Sequence, residues 1–343
     1  MSNEKQYVEQ VLAQYNIQPE LLQQYGKVWR VGTKKDTFAL KRINKRDAYS
    51  LFMNIHSMYQ RGIQSIVPIY KTNQGYYYVE DQQDVYYLMP WIEAKEEREV
   101  DFKDSLLFKE LAKLHNLTVQ EKEYEEKDIT DFFTKTSEAW KINAERLEKY
   151  VDECEKKTYM SPFELQVCTA AHEISLANKF ANSQLDNWYE QMKEEKKHRT
   201  TFTHGRISFH HFLKDEQGRG YFTSWERSRK APPANDIVAF YHRYLSTYPL
   251  YCDECVDWYY EYQKDFPLRE TEKSLALCHL SYPRPFMNVL NNYLENKESN
   301  KKMRNERESV RKLQDSYWLA KNIEYVAGRI NQIEEQKKNS AQT

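Results

Sequence analysis

Between Phe202 and Glu226 the chain reads FTHGRISFHHFLKDEQGRGYFTSWE. Phe202, Phe212, Leu213, Tyr221 and Phe222 supply short strand-like apolar runs, and Lys214 to Gly220 is a polar, glycine-bearing turn of hairpin length. His204, Gly205, Arg206, His210 and His211 fall in the loop before the hairpin. A polar loop held between short strands limits the fold and is where function is sought.

The chain has 343 residues, enough for two lobes that share a cleft. Its 51 basic and 52 acidic side chains nearly cancel, so net charge points to neither nucleic acid nor an anionic membrane. The opening MSNEKQYVEQ has no apolar signal core and no run is long enough to span a bilayer, which predicts synthesis in a cytoplasm. Five cysteines, an odd number in a long chain, argue against a disulfide framework. Cys252-Asp-Glu-Cys255 is the only close pair; without a second Cys or His pair or a thioredoxin-like surround, it reads as incidental thiols. Tyrosine is the compositional outlier at 27 residues. Half-buried strand and helix faces suit it, since the ring packs and the hydroxyl stays wet. The other reading is a protein destined for a cross-linked or solid assembly.

Val8, Val11, Leu12 and Tyr15 predict a leading helix. Val28 to Thr33 and Thr37 to Ile43 read as a hairpin, with Lys41 in its second strand. Asp47 to Arg61 reads as a helix, followed by strands at Ile66 to Tyr70, Tyr76 to Glu80 and Val85 to Met89, completing a five-stranded antiparallel lobe. From Glu93 the chain turns helical: a leucine stripe from Leu106 to Leu117, long helices at Asp128 to Lys156 and Pro162 to Glu195, and a last one at Glu308 to Ile333. Asp236 is placed to cap a helix over Ile237 to Tyr248. The expected division is a β-rich lobe at 1–90, a helical lobe at 91–336 containing segment 203–226, and a frayed tail at 337–343.

The central segment resembles that of the kinase-like aminoglycoside and choline phosphotransferases, H-G-D-x-x-x-x-N, a short hairpin, then I-D-F/W-D. The resemblance implies an α+β, protein-kinase-like fold of two lobes, a small antiparallel sheet lobe and a large mainly helical one. His204 and Gly205 match the motif. Arg206 stands at the catalytic Asp, His211 at the metal-holding Asn and Ser224 at the metal-binding Asp, while Glu226 keeps the last acid. Lys41 matches the lysine that reaches the nucleotide phosphates, Met89-Pro90-Trp91-Ile92 the hinge that meets adenine, and Asp236 the residue that braces the catalytic loop. Between Asn44 and Gly62 no Glu is present to hold the lysine. VWRVGTKKDTFALKRI, YYLMPWIEAKE, LAKLH, THG and SWERSRKAPPANDI are together similar to the kinase-like spore-coat proteins of the coat-S family. That similarity implies mother-cell synthesis, incorporation in the spore coat and other coat proteins as partners.

Arginine stays protonated and cannot act as a general base, imidazole is a poor magnesium ligand, and a serine hydroxyl brings no charge. The sequence therefore predicts a pseudokinase scaffold with no competent catalytic group, no required cofactor and no metal. Lys41, Met89, Trp91 and Glu226 are its vestigial nucleotide contacts, and His204 and Asp236 its structural residues. Two alternatives stay open: an atypical ATP- and magnesium-dependent kinase using Lys41, Glu226 and His204 or His211, and a metal site of His204, His210, His211 and Glu226. Arg206 is expected to pair internally with an acid such as Glu226, or to contact a phosphate or carboxylate ligand.

Overall fold

The computed structural model describes residues 2–93, 105–195, 197–246, 250–298 and 306–341. In chain order the elements begin α1 (Ser2–Ala13), β1 (Leu21–Tyr25), β2 (Val28–Gly32), β3 (Thr37–Asn44), α2 (Lys45–Gln60), β4 (Val79–Glu80), β5 (Asp84–Pro90) and α3 (Leu106–Thr118). Then come β6 (Gln120–Glu123), α4 (Glu126–Glu155), α5 (Pro162–Glu194), β7 (Lys197–Thr203), β8 (Phe212–Lys214), β9 (Gly220–Phe222) and β10 (Arg229–Ala231). The chain closes with α6 (Ala234–Tyr244), α7 (Asp253–Asp265), α8 (Glu270–Ser281), α9 (Arg284–Glu298) and α10 (Glu306–Ala341). Contacts group Met1–Val119 with Thr201–Ala231 in one compact unit, and Gln120–Thr200 with Pro232–Thr343 in another. Segment 203–226, placed by the sequence among the helices, thus clusters with the sheet.

The first unit is built on a five-stranded antiparallel sheet of order β1-β2-β3-β5-β4. Strand residues alternate between faces. Trp29, Val31, Leu40, Tyr86 and Leu88 point to one face and bury Val8, Val11, Leu12 and Tyr15 of α1. Each such aliphatic side chain, taken fully out of water, contributes about 1.5–3 kcal/mol. Lys41 and Tyr87, neighbours in the register of β3 with β5, face the other way. There α2 packs: its Phe52 ring meets Tyr87 edge-on with centroids 5.6 Å apart.

Two expected strands are corrected. Ile66 to Tyr70 makes only isolated bridges, Ile66 to Phe222 and Tyr70 to Leu88, because Pro68 lacks the amide a continuous ladder needs. Of Tyr76 to Glu80 only Val79–Glu80 is extended, since Thr72 and Tyr76 close a tight loop through the Thr72 amide and Tyr76 carbonyl at 2.7 Å. The missing strand is β1, joined to β2 with Tyr25 opposite Val28 around a Gly26-Lys27 turn. Its side chains are mostly exposed, so no alternating pattern marks it.

In the second unit α4, α5, α8, α9 and α10 share one core. Trp140 stacks on Tyr282 at 4.1 Å and Phe163 on Tyr293 at 3.7 Å. Ser161 and Glu164 form a capping box at the start of α5, with Pro162 at the first helical position. The last helix runs through Ala341, so the tail expected to fray from Lys337 is helical to that point. Asp236 does not cap α6. It lies in the first turn behind Pro233 and is wholly buried. The expected extension of that helix over 247–248, and the chain at 94–104, lie outside the described residues. Among the described residues no helix is long and apolar enough to cross a membrane.

Candidate functional site

Within the first unit the strand lysine meets the segment after the hairpin. Lys41 is 9% exposed, and its Nζ lies 2.5 Å from Glu226 Oε1 and 2.8 Å from Ser224 Oγ, which accepts from it. Tyr87, beside Lys41 across the ladder, donates its hydroxyl to the same Glu226 oxygen at 3.2 Å. Burial pushes the Glu226 carboxyl up, but the Lys41 charge and hydrogen bond, aided by a backbone amide and Tyr87, hold it below the usual range. Tyr87, fully buried next to that carboxylate, is driven well above the usual phenol range.

Local backbone geometry aims these groups. Ser224 adopts left-handed torsions at φ 66° and ψ 55°, costly for a serine, just before the 3-10 turn Trp225–Arg227 that carries Glu226. The indole Nε1 of Trp225 donates to the Phe222 carbonyl at 3.0 Å and fixes the turn. From the helical side, Asn54 of α2 donates to the Ser228 carbonyl at 3.0 Å. Gly205 has φ +72°, and a Cβ there would lie 2.4 Å from the Arg227 carbonyl oxygen. Only glycine lets the loop at His204 approach the Ser224–Ser228 segment so closely.

His204 is fully buried. Its Nε2 lies 2.7 Å from the Thr223 carbonyl and its Nδ1 accepts the Arg206 amide at 3.3 Å. A carbonyl can only accept and an amide N–H can only donate, so the ring is the neutral Nε2–H tautomer with both nitrogens engaged. His204 is a structural tie between the loop and the hairpin. His211 sits in a 3-10 turn, Phe209–His211, within the loop before the hairpin. Its Nδ1 faces Ser208 Oγ at 2.9 Å and its carbonyl accepts the Thr223 amide at 2.9 Å. Among the described residues no group of three or more His, Cys, Asp or Glu side chains is arranged to hold a metal ion.

The carboxylate of Glu226, for which the sequence offers Arg206 as a partner, is joined to Lys41. The sequence offers Lys41 and Glu226 as separate nucleotide contacts; in the structure they bond to each other. Met89 and Trp91 stand at the end of β5, half-buried. The Trp91 amide already donates to the Thr37 carbonyl at 3.0 Å, and Pro90 has no amide to offer. Tyr87 was missed as a site residue. The available signal was its place in the second strand from Lys41, but the register that makes them neighbours is not written in either strand alone. In the second unit a cavity of about 400 Å³ is walled by Phe132, Trp188, Met192 and Leu275, with Arg199 and His279 among its polar edges.

No family model matches the chain, and no curated protein matches it. Solved structures do. An aminoglycoside phosphotransferase from Alicyclobacillus acidocaldarius subsp. acidocaldarius DSM 446 is similar over 96% of each chain, at TM-score 0.73 and 13% identity. The spectinomycin phosphotransferase APH(9)-Ia in complex with ADP and spectinomycin is similar over 94% of this chain and 98% of its own, at TM-score 0.53 and 13% identity. A microcompartment-associated aminopropanol kinase follows at TM-score 0.53 and 11% identity, covering 95% of this chain and 98% of its own. The chain has the aminoglycoside-phosphotransferase, kinase-like fold, with a small antiparallel sheet lobe and a large mainly helical lobe.

Proposed function

We propose that this chain is a noncatalytic protein of phosphotransferase fold, a scaffold of the spore coat that works beside other coat proteins. The observation that carries the noncatalytic reading is the pairing of Lys41 with Glu226. At the place where the resemblance puts a phosphate-binding lysine, the cation already has a carboxylate and a hydroxyl. An incoming triphosphate must separate a largely desolvated pair, and breaking such a pair costs several kcal/mol. Ser224 then offers no negative charge for magnesium, Arg206 accepts no proton, and the hinge amide of Trp91 is occupied. Magnesium and ATP, which the fold family implies, are poorly matched to these residues.

The coat assignment rests on the resemblance of five stretches to the coat-S family and is compatible with 27 tyrosines. An enzyme reading is favoured by one observation, that Lys41 and an acid are brought together where phosphates and metal would lie. It is weakened by His204, whose two ring nitrogens are both engaged.

ADP release from magnesium-ATP, with aminoglycosides, spectinomycin and amino alcohols as acceptors, separates the two. The noncatalytic reading expects the rate found without protein. Turnover that disappears in Lys41→Ala overturns it. A fluorescent fusion in sporulating cells tests the coat: a shell around the forespore is expected, and even mother-cell fluorescence contradicts it.

A further inference from the structure

Strand β1 stands at one end of the order β1-β2-β3-β5-β4 and reads LLQQY, with no charge and no proline. Its ladder with β2 runs without a bulge from Leu21 opposite Gly32 to Tyr25 opposite Val28. Lysine, proline or a bulge usually keeps an edge strand from pairing with another chain, and β1 lacks all three. We propose that β1 is a self-association surface, on which a second copy of this chain lays its own β1 antiparallel about a two-fold axis at Gln23.

The backbone selects that register. Tyr25 and Val28 flank a two-residue turn in which Gly26 has φ +61°, and across so short a loop the closing residues hydrogen-bond each other. Antiparallel partners alternate between hydrogen-bonded and non-hydrogen-bonded pairs. The amides and carbonyls of Tyr25, Gln23 and Leu21 therefore turn toward β2, and those of Leu22 and Gln24 point outward. With Gln23 opposite Gln23 of the second copy, each Leu22 faces a Gln24, and the outward groups satisfy one another. A shift of one residue sets outward groups against inward ones. An axis at Leu22 puts Gln24 opposite Glu20, whose amide already donates to the Gly32 carbonyl at 2.8 Å, and an axis at Gln24 puts Leu22 opposite the Gly26 turn.

The side chains agree. Leu21, Gln23 and Tyr25 share one face of the strand, and Leu21 and Tyr25 are large apolar groups left 49% and 56% exposed. The axis at Gln23 lays each Leu21 beside the Tyr25 of the other copy, a cross-strand pair that stabilises a sheet. The Tyr25 ring is already held by Trp91, with centroids 5.9 Å apart. On the opposite face Leu22 packs toward the α1 core. Charge is complementary at both ends, because exposed Glu20 of each copy comes to the turn that carries exposed Lys27 of the other. The far edge of the sheet, β4, is only Val79–Glu80, and Glu80 is paired with Lys45 at 2.6 Å. Pairing through β1 thus closes at two copies and does not run on into a filament.

The test is sedimentation equilibrium of the reduced full chain over about 1 to 200 micromolar, the range suited to a small, transient interface. The average mass should rise from one chain toward two and level there. Gln23→Lys sets like charges opposite each other at the axis and should weaken association about five-fold or more. Its urea midpoint should stay unchanged, since the side chain is exposed in a single copy. Gln23→Cys should form a disulfide-linked dimer on mild oxidation, because residues opposed at a non-hydrogen-bonded pair have Cα atoms about 4.5 Å apart. Leu21→Cys, which faces Tyr25, should cross-link no more than the native chain. A single-chain mass across the whole range overturns the proposal, and this is also the result if β1 accepts a strand only from another protein. A dimer that Gln23→Lys leaves intact, or equal cross-linking of Gln23→Cys and Leu21→Cys, overturns it as well. The native-chain measurement needs no substitution, so a variant that fails to fold does not spare the claim.

Discussion

Replacing Lys41 by Met removes a charge and keeps most of the stem, so it isolates the ion pair. Glu226 is then a largely buried carboxylate that keeps the hydrogen bond from the Tyr87 hydroxyl. Breaking one side of a buried pair typically costs about 3–5 kcal/mol. The residual solvent contact here, with side chains 11% and 16% exposed, places the expected loss toward the lower end. The pH dependence gives the sign. In the native protein the Glu226 carboxyl is held below its usual range. Its contribution is complete above the unfolded value of about 4.3 and is lost as pH falls through the lower folded one. Without Lys41 the burial cost is no longer outweighed, the folded value rises above the unfolded one, and ionisation above about pH 4.3 becomes destabilising. The difference between native and Lys41→Met is therefore largest at neutral pH and shrinks below pH 4. Adding Glu226→Gln should restore most of the loss. Because the two compact units need not unfold together, the readout is urea-dependent hydrogen exchange in peptides spanning Lys41 and Glu226. A Lys41→Met loss that is negligible, or the same at pH 7 and pH 4, refutes the reasoning.

Gly205→Ala puts a Cβ against the Arg227 carbonyl at positive φ; a loss of about 2–4 kcal/mol in urea titration is expected from strain and overlap. Burial, with Arg284 and His242 nearby, drops His279 to about 4. The folded form thus resists protonation, and stability present above the unfolded value of about 6.5 falls by about 3 kcal/mol as pH drops toward 4. His279→Phe should flatten that limb of the profile. Arg206→Asp alone should leave phosphoryl transfer at background, since His211 and Ser224 still bring no magnesium ligand; measurable transfer in that single variant would contradict the account of the site.

The elements with strong periodicity were legible in the sequence: the α1 face of Val8, Val11 and Leu12, the β2–β3 hairpin, and the long amphipathic α4 and α5. Strand β1 is hidden because edge pairing, not burial, holds it, and the apolar run Ile66 to Tyr70 suggests a strand whose ladder Pro68 interrupts. At the site, Lys41, Ser224 and Glu226 could be singled out by motif. What could not be read was that they meet. Lys41 and Glu226 lie far apart in the chain, and their pairing depends on the left-handed Ser224 and the close pass at Gly205. A motif alignment likewise suggests Arg206 for Glu226, because it takes no account of which cation the β3 face presents.

The noncatalytic reading is tested most directly by calorimetric titration of the purified protein with ATP, with and without magnesium, alongside Lys41→Ala. The account predicts no binding, or weak binding indifferent to both the metal and the lysine. Binding that requires magnesium and is abolished in Lys41→Ala would contradict it, because it would show that a nucleotide displaces Glu226 from Lys41 and that the site still holds a metal.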